Sequence, residues 1–245
     1  MVTHGAIDGY SRLIVYLHCS KNNKASTVYE HFISAVQRFS LPSRVRSDQG
    51  LENVYVGRHM IEKRGSQRRS MITGSSTHHQ RIERLWRDLH QSVIILYYKL
   101  FYFMEHHDYL NPLNEHHLWA LSYVYLPRIN KSIKEFTQSW NNHPIRTANH
   151  KSPQQLFTAG LMLLQHSGLE ALDYFQNVDE TYGVDPDGPV SPGEDELQGV
   201  EVPESTLSFA EHDLVTLGQL IDPCAPSDNY GIELYEQVLH FIMSL

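Results

Sequence analysis

Asp48 and Glu83 are the two carboxylates whose surroundings suit chemistry. Asp48 follows the short stretch Ser43–Arg46 and precedes Gly50, at the C-terminal end of an expected strand. Open α/β sheets place their ligand-binding groups at such ends. Glu83 comes 35 positions later, within the first two turns of an expected long helix. Its neighbours Gln80, Arg84, Arg87 and Gln91 are polar, while Ile82, Leu85 and Leu89 fall on the apolar face, so Glu83 projects from the rim of that face. A hard cation such as Mg²⁺ takes oxygen ligands and often uses one or two carboxylates plus phosphate oxygens. Two such ions about 3.5–4 Å apart activate a nucleophile and stabilise the leaving oxygen of a phosphodiester. The same residue types also suit plainer roles. An Asp at a strand end serves as a turn residue or helix cap, and a Glu early in a helix complements the helix dipole.

The elements that must position these residues follow from periodicity. Val2–Ile7 and Leu13–Leu17 read as two strands around Asp8-Gly9, a dipeptide suited to a type I′ turn. A helix is expected over Lys24–Phe39, with Val28, Phe32, Ile33, Val36 and Phe39 on one face, ending at Ser40-Leu41-Pro42. After the Ser43–Arg46 strand come a turn at Ser47–Gly50, a helix over Asn53–Lys63 closed by Gly65, and a strand at Ser70–Thr73. Gly74–Thr77 reads as a loop ending in residues fit to cap the long helix, about His78–His106. That helix has its apolar stripe at Ile82, Leu85, Leu89, Val93, Leu96 and Leu100. A further helix spans Leu118–Trp140, with a break expected near Pro127, and Ser152-Pro153 opens another. The order implies an α/β domain with a mixed sheet.

Charge is divided sharply. Residues 1–151 hold all 20 Lys and Arg against 11 Asp and Glu, a balance of +9, whereas residues 152–245 hold 17 Asp and Glu and no Lys or Arg. A basic front attracts a polyanion and an acidic tail repels one. Around the two carboxylates, Arg44, Arg46, Lys63, Arg64, Arg68, Arg69, Arg81, Arg84 and Arg87 read either as a phosphate-contacting rim or as a solvated surface. Arg128, Lys131 and Lys134 would extend the rim, and Ser76 and Thr77 either touch a phosphate or only cap the helix. From Gly168 onward, Asp185–Pro189 and Ser191–Glu194 read as a flexible acidic linker, with weaker helices at Glu211–Leu220 and Tyr230–Leu245 that could dock back on the core.

Several functions are disfavoured. No run approaches the roughly 18 apolar residues of a membrane span, and the first residues lack a secretory pattern. Cys19 and Cys224, far apart, read as free thiols of an intracellular protein. The pairs His78-His79, His106-His107 and His116-His117 are adjacent, so each pair diverges on a helix, and neither cysteine stands at zinc-ligand spacing. Trp86, Trp119, Trp140 and Tyr97-Tyr98 read as packing residues.

Three blocks carry a resemblance: Ile7-Asp8-Gly9-Tyr10-Ser11-Arg12, then Arg46-Ser47-Asp48-Gln49-Gly50-Leu51-Glu52, then Gln80-Arg81-Ile82-Glu83-Arg84. In order and interval they resemble the ribonuclease-H-like catalytic cores of DDE integrases and transposases, over about residues 2–165. More narrowly the chain is similar to transposon-derived integrase-core proteins of animals and fungi. The resemblance implies a mixed sheet flanked by helices, Asp48 and Glu83 as the second and third catalytic carboxylates, and Mg²⁺ or Mn²⁺ as cofactor. The implied reaction is cleavage of DNA ends followed by strand transfer, in which a 3′ hydroxyl attacks a target phosphodiester. DNA is the implied partner, with self-assembly and a nuclear location left open. The family's first catalytic Asp lies on a central strand upstream of the Asp8 block. That strand is expected to be missing here, leaving two strand edges unpaired and catalysis impaired. A non-catalytic DNA-binding or protein-interaction module is the alternative. The expected organisation is an integrase-like core over 1–165 and an acidic, partly disordered extension with short helices over 166–245.

Overall fold

The computed structural model describes residues 1–48, 50–65, 69–73, 80–167 and 207–245. Strand β1 (Val2–Ile7) runs antiparallel to β2 (Ile14–Ser20), with His4 opposite His18 and Gly5 opposite Leu17. Alternation along the strands sends His4, Tyr16, His18 and Ser20 to one face and Gly5, Leu17 and Cys19 to the other. The first face receives His31 from α1 (Ala25–Phe39). The second packs on the main core, so closely that a Cβ at Gly5 would lie 2.6 Å from Leu17 Cδ1 and 3.0 Å from Trp86.

The connection between β1 and β2 is not the two-residue type I′ turn expected from Asp8-Gly9. Such a turn needs positive φ at both central residues, and the positive φ falls instead on Arg12, at 65°. Asp8 organises a wider turn, its Oδ2 accepting from Tyr10 N, Ser11 N and Ser11 Oγ at 3.2, 2.7 and 2.7 Å. A carboxylate satisfied this way stabilises an Asx-type loop and removes the need for a tight hairpin.

Strand β3 (Val45–Ser47) pairs in parallel with β4 (Met71–Thr73), with Ser47 opposite Thr73. Among the described residues β1–β2 and β3–β4 are separate two-stranded sheets. Between them in sequence, a 3₁₀ turn at Leu51–Asn53 leads into α2 (Val54–Arg64). Gly65 closes α2 at φ 88°, a conformation open to glycine, and its N–H reaches Ile61 O at 2.8 Å. Val28 and Phe32 of α1 meet Val56 and Met60 of α2 in a small core that Val45 and Met71 complete.

The long helix is α3 (Gln80–Leu89), a π turn over His90–Ile94, and α4 (Ile95–His106). Its buried stripe is Leu85, Leu89, Val93, Tyr97, Leu100 and Met104. Leu96, expected inside, is 45% exposed. The π turn explains the change: its wider i→i+5 bonds under-wind the helix, so successive buried positions step by four and Tyr97 takes the place meant for Leu96.

Helix α5 (Glu115–Asn142) runs unbroken through Pro127. An internal proline costs about 3 kcal/mol, offset here by burial on both sides of it, at Val124 and Tyr125 and at Ile129 and Ile133. Helix α6 (Pro153–Ser167) opens on a reciprocal capping box, Ser152 N donating to Gln155 Oε1 at 2.9 Å and Gln155 N to Ser152 Oγ at 3.2 Å. Helices α7 (Glu211–Leu220) and α8 (Ile232–Met243) form where weaker helices were expected. Leu217, Ile232, Tyr235, Val238 and Ile242 share one apolar cluster with Tyr97, Leu100, Met104, Val124 and Tyr125. The acidic linker expected between α6 and α7 lies outside the described residues. No helix among the described residues is long and apolar enough to cross a membrane.

Candidate functional site

Parallel pairing of β3 and β4 brings the ends of both strands to one edge, because Ser47 and Thr73 are register partners. Asp48 follows Ser47 directly. Thr73 leads, beyond a stretch outside the described residues, to Gln80 at the start of α3, and Glu83 lies in that helix's first turn. Asp48 therefore stands at the strand end whose register partner is Thr73, and Glu83 lies in the helix that follows β4 next among the described residues. Asp48 is exposed, and its Oδ1 accepts from Asn53 Nδ2 at 2.9 Å and Gly50 N at 3.4 Å. Those contacts fix the turn and leave Oδ2 with no hydrogen bond among the described residues. Glu83 is half-buried on the rim of α3.

Oxygen-only donors suit a hard divalent cation better than a soft one. Among the described residues, however, no three His, Cys, Asp or Glu side chains are grouped to hold a metal ion. The oxygen donors of Asp48 and Glu83 are of the chemical type that Mg²⁺ or Mn²⁺ takes.

The basic residues divide by what they touch. Arg46 is half-buried on β3, and Arg69, Arg81, Arg84 and Arg87 are exposed. Arg44 is half-buried with its Nε enclosed and without an acceptor. Arg68, Ser76 and Thr77 lie outside the described residues. Arg84 meets Asp88 at 3.9 Å, the arginine exposed and the aspartate half-buried, an ion pair of little energetic weight at that distance. Two expected rim residues are spent on the fold. Arg64 donates from Nε to Pro42 O at 3.2 Å and from Nη2 to Leu41 O at 2.7 Å. Arg128 donates from Nε to Pro223 O and from Nη2 to Ala225 O, each at 2.6 Å. Lys131 and Lys134 are exposed on α5.

Sequence reasoning missed a histidine cluster on the first hairpin face. The His31 ring centroid lies 4.8 Å from that of His18 and 6.0 Å from that of His4, with Tyr16 stacked at 6.1 Å. Ser20 Oγ meets His31 Nε2 at 3.2 Å, and His4 Nε2 meets Asn22 O at 3.1 Å. The signal was the cross-strand register, which follows only from the turn length. Burial, then His18, then His4, hold the His31 ring down to about 4. Burial, then His4, lower His18 as well. The unfolded chain takes up a proton on His31 near pH 6.5 that the folded chain refuses until about pH 4. This part of the stability is fully present above pH 6.5 and is lost as pH falls toward 4. Discounted for the partial exposure of the rings, the loss is on the order of 1–2 kcal/mol. Urea denaturation at pH 7 and pH 4.5 measures it, and His31→Gln should flatten the difference. An unchanged difference would remove the cluster as its source.

Residues 1–171 match the integrase core domain family. No curated protein and no solved structure matches the chain.

Proposed function

The chain belongs to the integrase core domain family, and from that membership we propose that it binds duplex DNA and holds Mg²⁺ or Mn²⁺ through Asp48 and Glu83 for phosphodiester cleavage and strand transfer. The observation that supports this reading is the parallel β3–β4 pair: Asp48 directly follows Ser47, the register partner of Thr73, and Glu83 lies in the first turn of the next described helix. Bound there, a divalent ion supplies charge to the scissile phosphate and lowers the pKa of an attacking hydroxyl. The chain's own residues do the rest. Asn53 and the Gly50 amide orient the Asp48 carboxylate through Oδ1, and its other oxygen has no hydrogen bond among the described residues. Glu83 stands on a helix anchored by the fully buried Leu85 and Leu89. Arg81, Arg84 and Arg87, on the same helix as Glu83, contact backbone phosphates and position the duplex without reading its sequence.

A second reading is favoured by one observation, the lack of a third acidic or histidine ligand beside this pair among the described residues. In that reading the scaffold binds DNA or a protein partner and performs no efficient catalysis. Mn²⁺ titration followed by electron paramagnetic resonance, alongside duplex binding by fluorescence anisotropy, separates the two. The double variant Asp48→Asn with Glu83→Gln should lose at least about tenfold in Mn²⁺ affinity, the equivalent of one charge-assisted ligand, and keep salt-sensitive duplex binding. Unchanged Mn²⁺ affinity in that variant removes the carboxylate pair as the metal site and leaves the binding module. A wild-type chain that binds no duplex at low salt defeats both DNA readings.

A further inference from the structure

We propose that Arg12 joins Arg81 and Arg84 in a clamp for one backbone phosphate of duplex DNA, on the turn of α3 that carries Glu83; the inference rests on the DNA-binding reading above. Arg12 comes from the turn between β1 and β2, far in sequence from the basic rim. Its φ of 65° lies in the left-handed region, which residues with a Cβ adopt only at a cost. Strain of this kind collects where a side chain must be held for a ligand. The backbone is fixed from both sides: Arg12 N donates to Asp8 O at 2.9 Å, and Trp140 Nε1 donates to Arg12 O at 2.9 Å.

Helix α3 supplies the other two groups. Arg81 Nη1 donates to Gly9 O, so its guanidinium sits against the same turn. Arg84 is three residues further on, a neighbour of Arg81 on the helix surface. Burial and then the fields of Arg81 and Arg84 hold the Arg12 guanidinium below its ordinary range. Asp8 and Asp88 leave most of this charge in place. Asp8 spends Oδ2 on three donors of its own turn, and Asp88 reaches only Arg84, at 3.9 Å. Neither Arg12 nor Arg81 has an ion-pair partner among the described residues. Three cations held together in this way weaken the fold until an anion joins them. Guanidinium groups, with forked donors, match the oxygens of a phosphate. A phosphodiester contact also carries no base information, so the clamp sets register and orientation only.

The test uses the full chain and a labelled duplex, with anisotropy titrations from 50 to 200 mM KCl. Arg12→Asn is the informative variant, since Asn tolerates the left-handed backbone. It should raise Kd about fivefold at the lowest salt and reduce the slope of log K against log salt by about one, with a Tm no lower than that of the wild type. Arg12→Lys should keep the slope and recover part of the affinity. Lys99→Gln, 15 residues beyond Arg84 and roughly 22 Å along the same helix, should leave the slope intact. Wild-type slope and affinity in Arg12→Asn overturn the clamp, as does an equal loss in Lys99→Gln, which would indicate a general field. If the wild-type chain binds no duplex, the DNA reading fails and inorganic pyrophosphate decides the clamp. Protection of the wild type but not of Arg12→Asn against heat upholds an anion site, and equal behaviour of the two overturns it.

Discussion

Arg128→Ala is expected to destabilise the chain by about 3 kcal/mol and to loosen α7 and α8 from α5. The guanidinium forms two hydrogen bonds of 2.6 Å, to Pro223 O and Ala225 O. Hydrogen bonds to a charged donor contribute about 1.5–3 kcal/mol each, and the side chain's stem also packs. Gly231, at φ 93°, lies so near that a Cβ there would be 2.9 Å from Arg128 Nε, so the loop is shaped around this residue. Truncation leaves two carbonyls without their donor and a void beneath the loop. Arg128→Lys should recover less than half, because one ammonium cannot span both carbonyls as a planar fork does. Urea denaturation gives the global figure. A local report comes from Trp119, which packs edge-on against Phe209 at 4.9 Å and stacks on Tyr123 at 5.5 Å, beside the docked segment. Its emission should shift before the main transition in Arg128→Ala. A loss under about 0.5 kcal/mol, within the ordinary range for surface changes, would mean that apolar contacts alone dock the C-terminal helices.

That docking shows where reading a sequence stops. Residues 152–245 carry 17 acidic residues and no Lys or Arg, and composition of that kind reads as a solvated extension. Yet Tyr235 and Val238 are fully buried, and Tyr235 OH bonds His117 Nδ1 at 2.8 Å and Tyr109 O at 3.1 Å. That two helices here could return to the core was legible; the partner surface, more than a hundred residues away, was not. Leu96 and Tyr97 make the same point at short range. A regular period of 3.6 puts Leu96 inside, and only the π turn at His90–Ile94 moves Tyr97 there. A π turn is set by how the helix meets its neighbours, so propensity gives no warning of it.

The candidate site was legible to a different degree. That Asp48 stands at a strand's end and Glu83 early in a helix followed from local pattern, and both placements hold. The parallel partnership of β3 and β4 is a long-range fact, fixed by how α2 returns the chain, and it alone relates the two segments. Basic residues near one another in sequence did not share one fate. Arg64 and Arg128 turned inward to backbone carbonyls, while Arg81 reached the Gly9 carbonyl of the turn that carries Arg12, outside the basic stretch. Charge counts show how many cations face an anion on average. The carbonyls left over by turns and helix ends decide which cations are consumed by the fold.

Asn130→Ala is expected to cost about 2–3 kcal/mol, more than any solvent-facing substitution on α5. Asn130 Oδ1 accepts from Cys19 N at 2.8 Å while its Nδ2 donates to Cys19 O at 2.9 Å. Asn141 repeats the pattern on Ile14, at 2.9 and 3.2 Å. Each carboxamide thus imitates the peptide group of a neighbouring strand and satisfies the outer edge of β2, where Ile14 and Cys19 are 2% and 3% exposed. Alanine leaves a buried N–H and a buried C=O unpaired, and each such group costs about 1–3 kcal/mol. Asn130→Asp should be worse at neutral pH, since a carboxylate keeps the acceptor but faces the Cys19 carbonyl with a second oxygen. The two positions are 11 residues apart, roughly 16 Å along the helix, so the double alanine variant should sum the single losses within about 0.5 kcal/mol. Denaturation curves of the three variants measure this. A loss below 1 kcal/mol for Asn130→Ala would show that water takes over the edge. The hairpin hung from these two clamps also carries Arg12. Under conditions where Asn130→Ala remains folded, its duplex affinity should fall together with that of Arg12→Asn, because a β2 edge free to shift no longer holds the turn against Arg81.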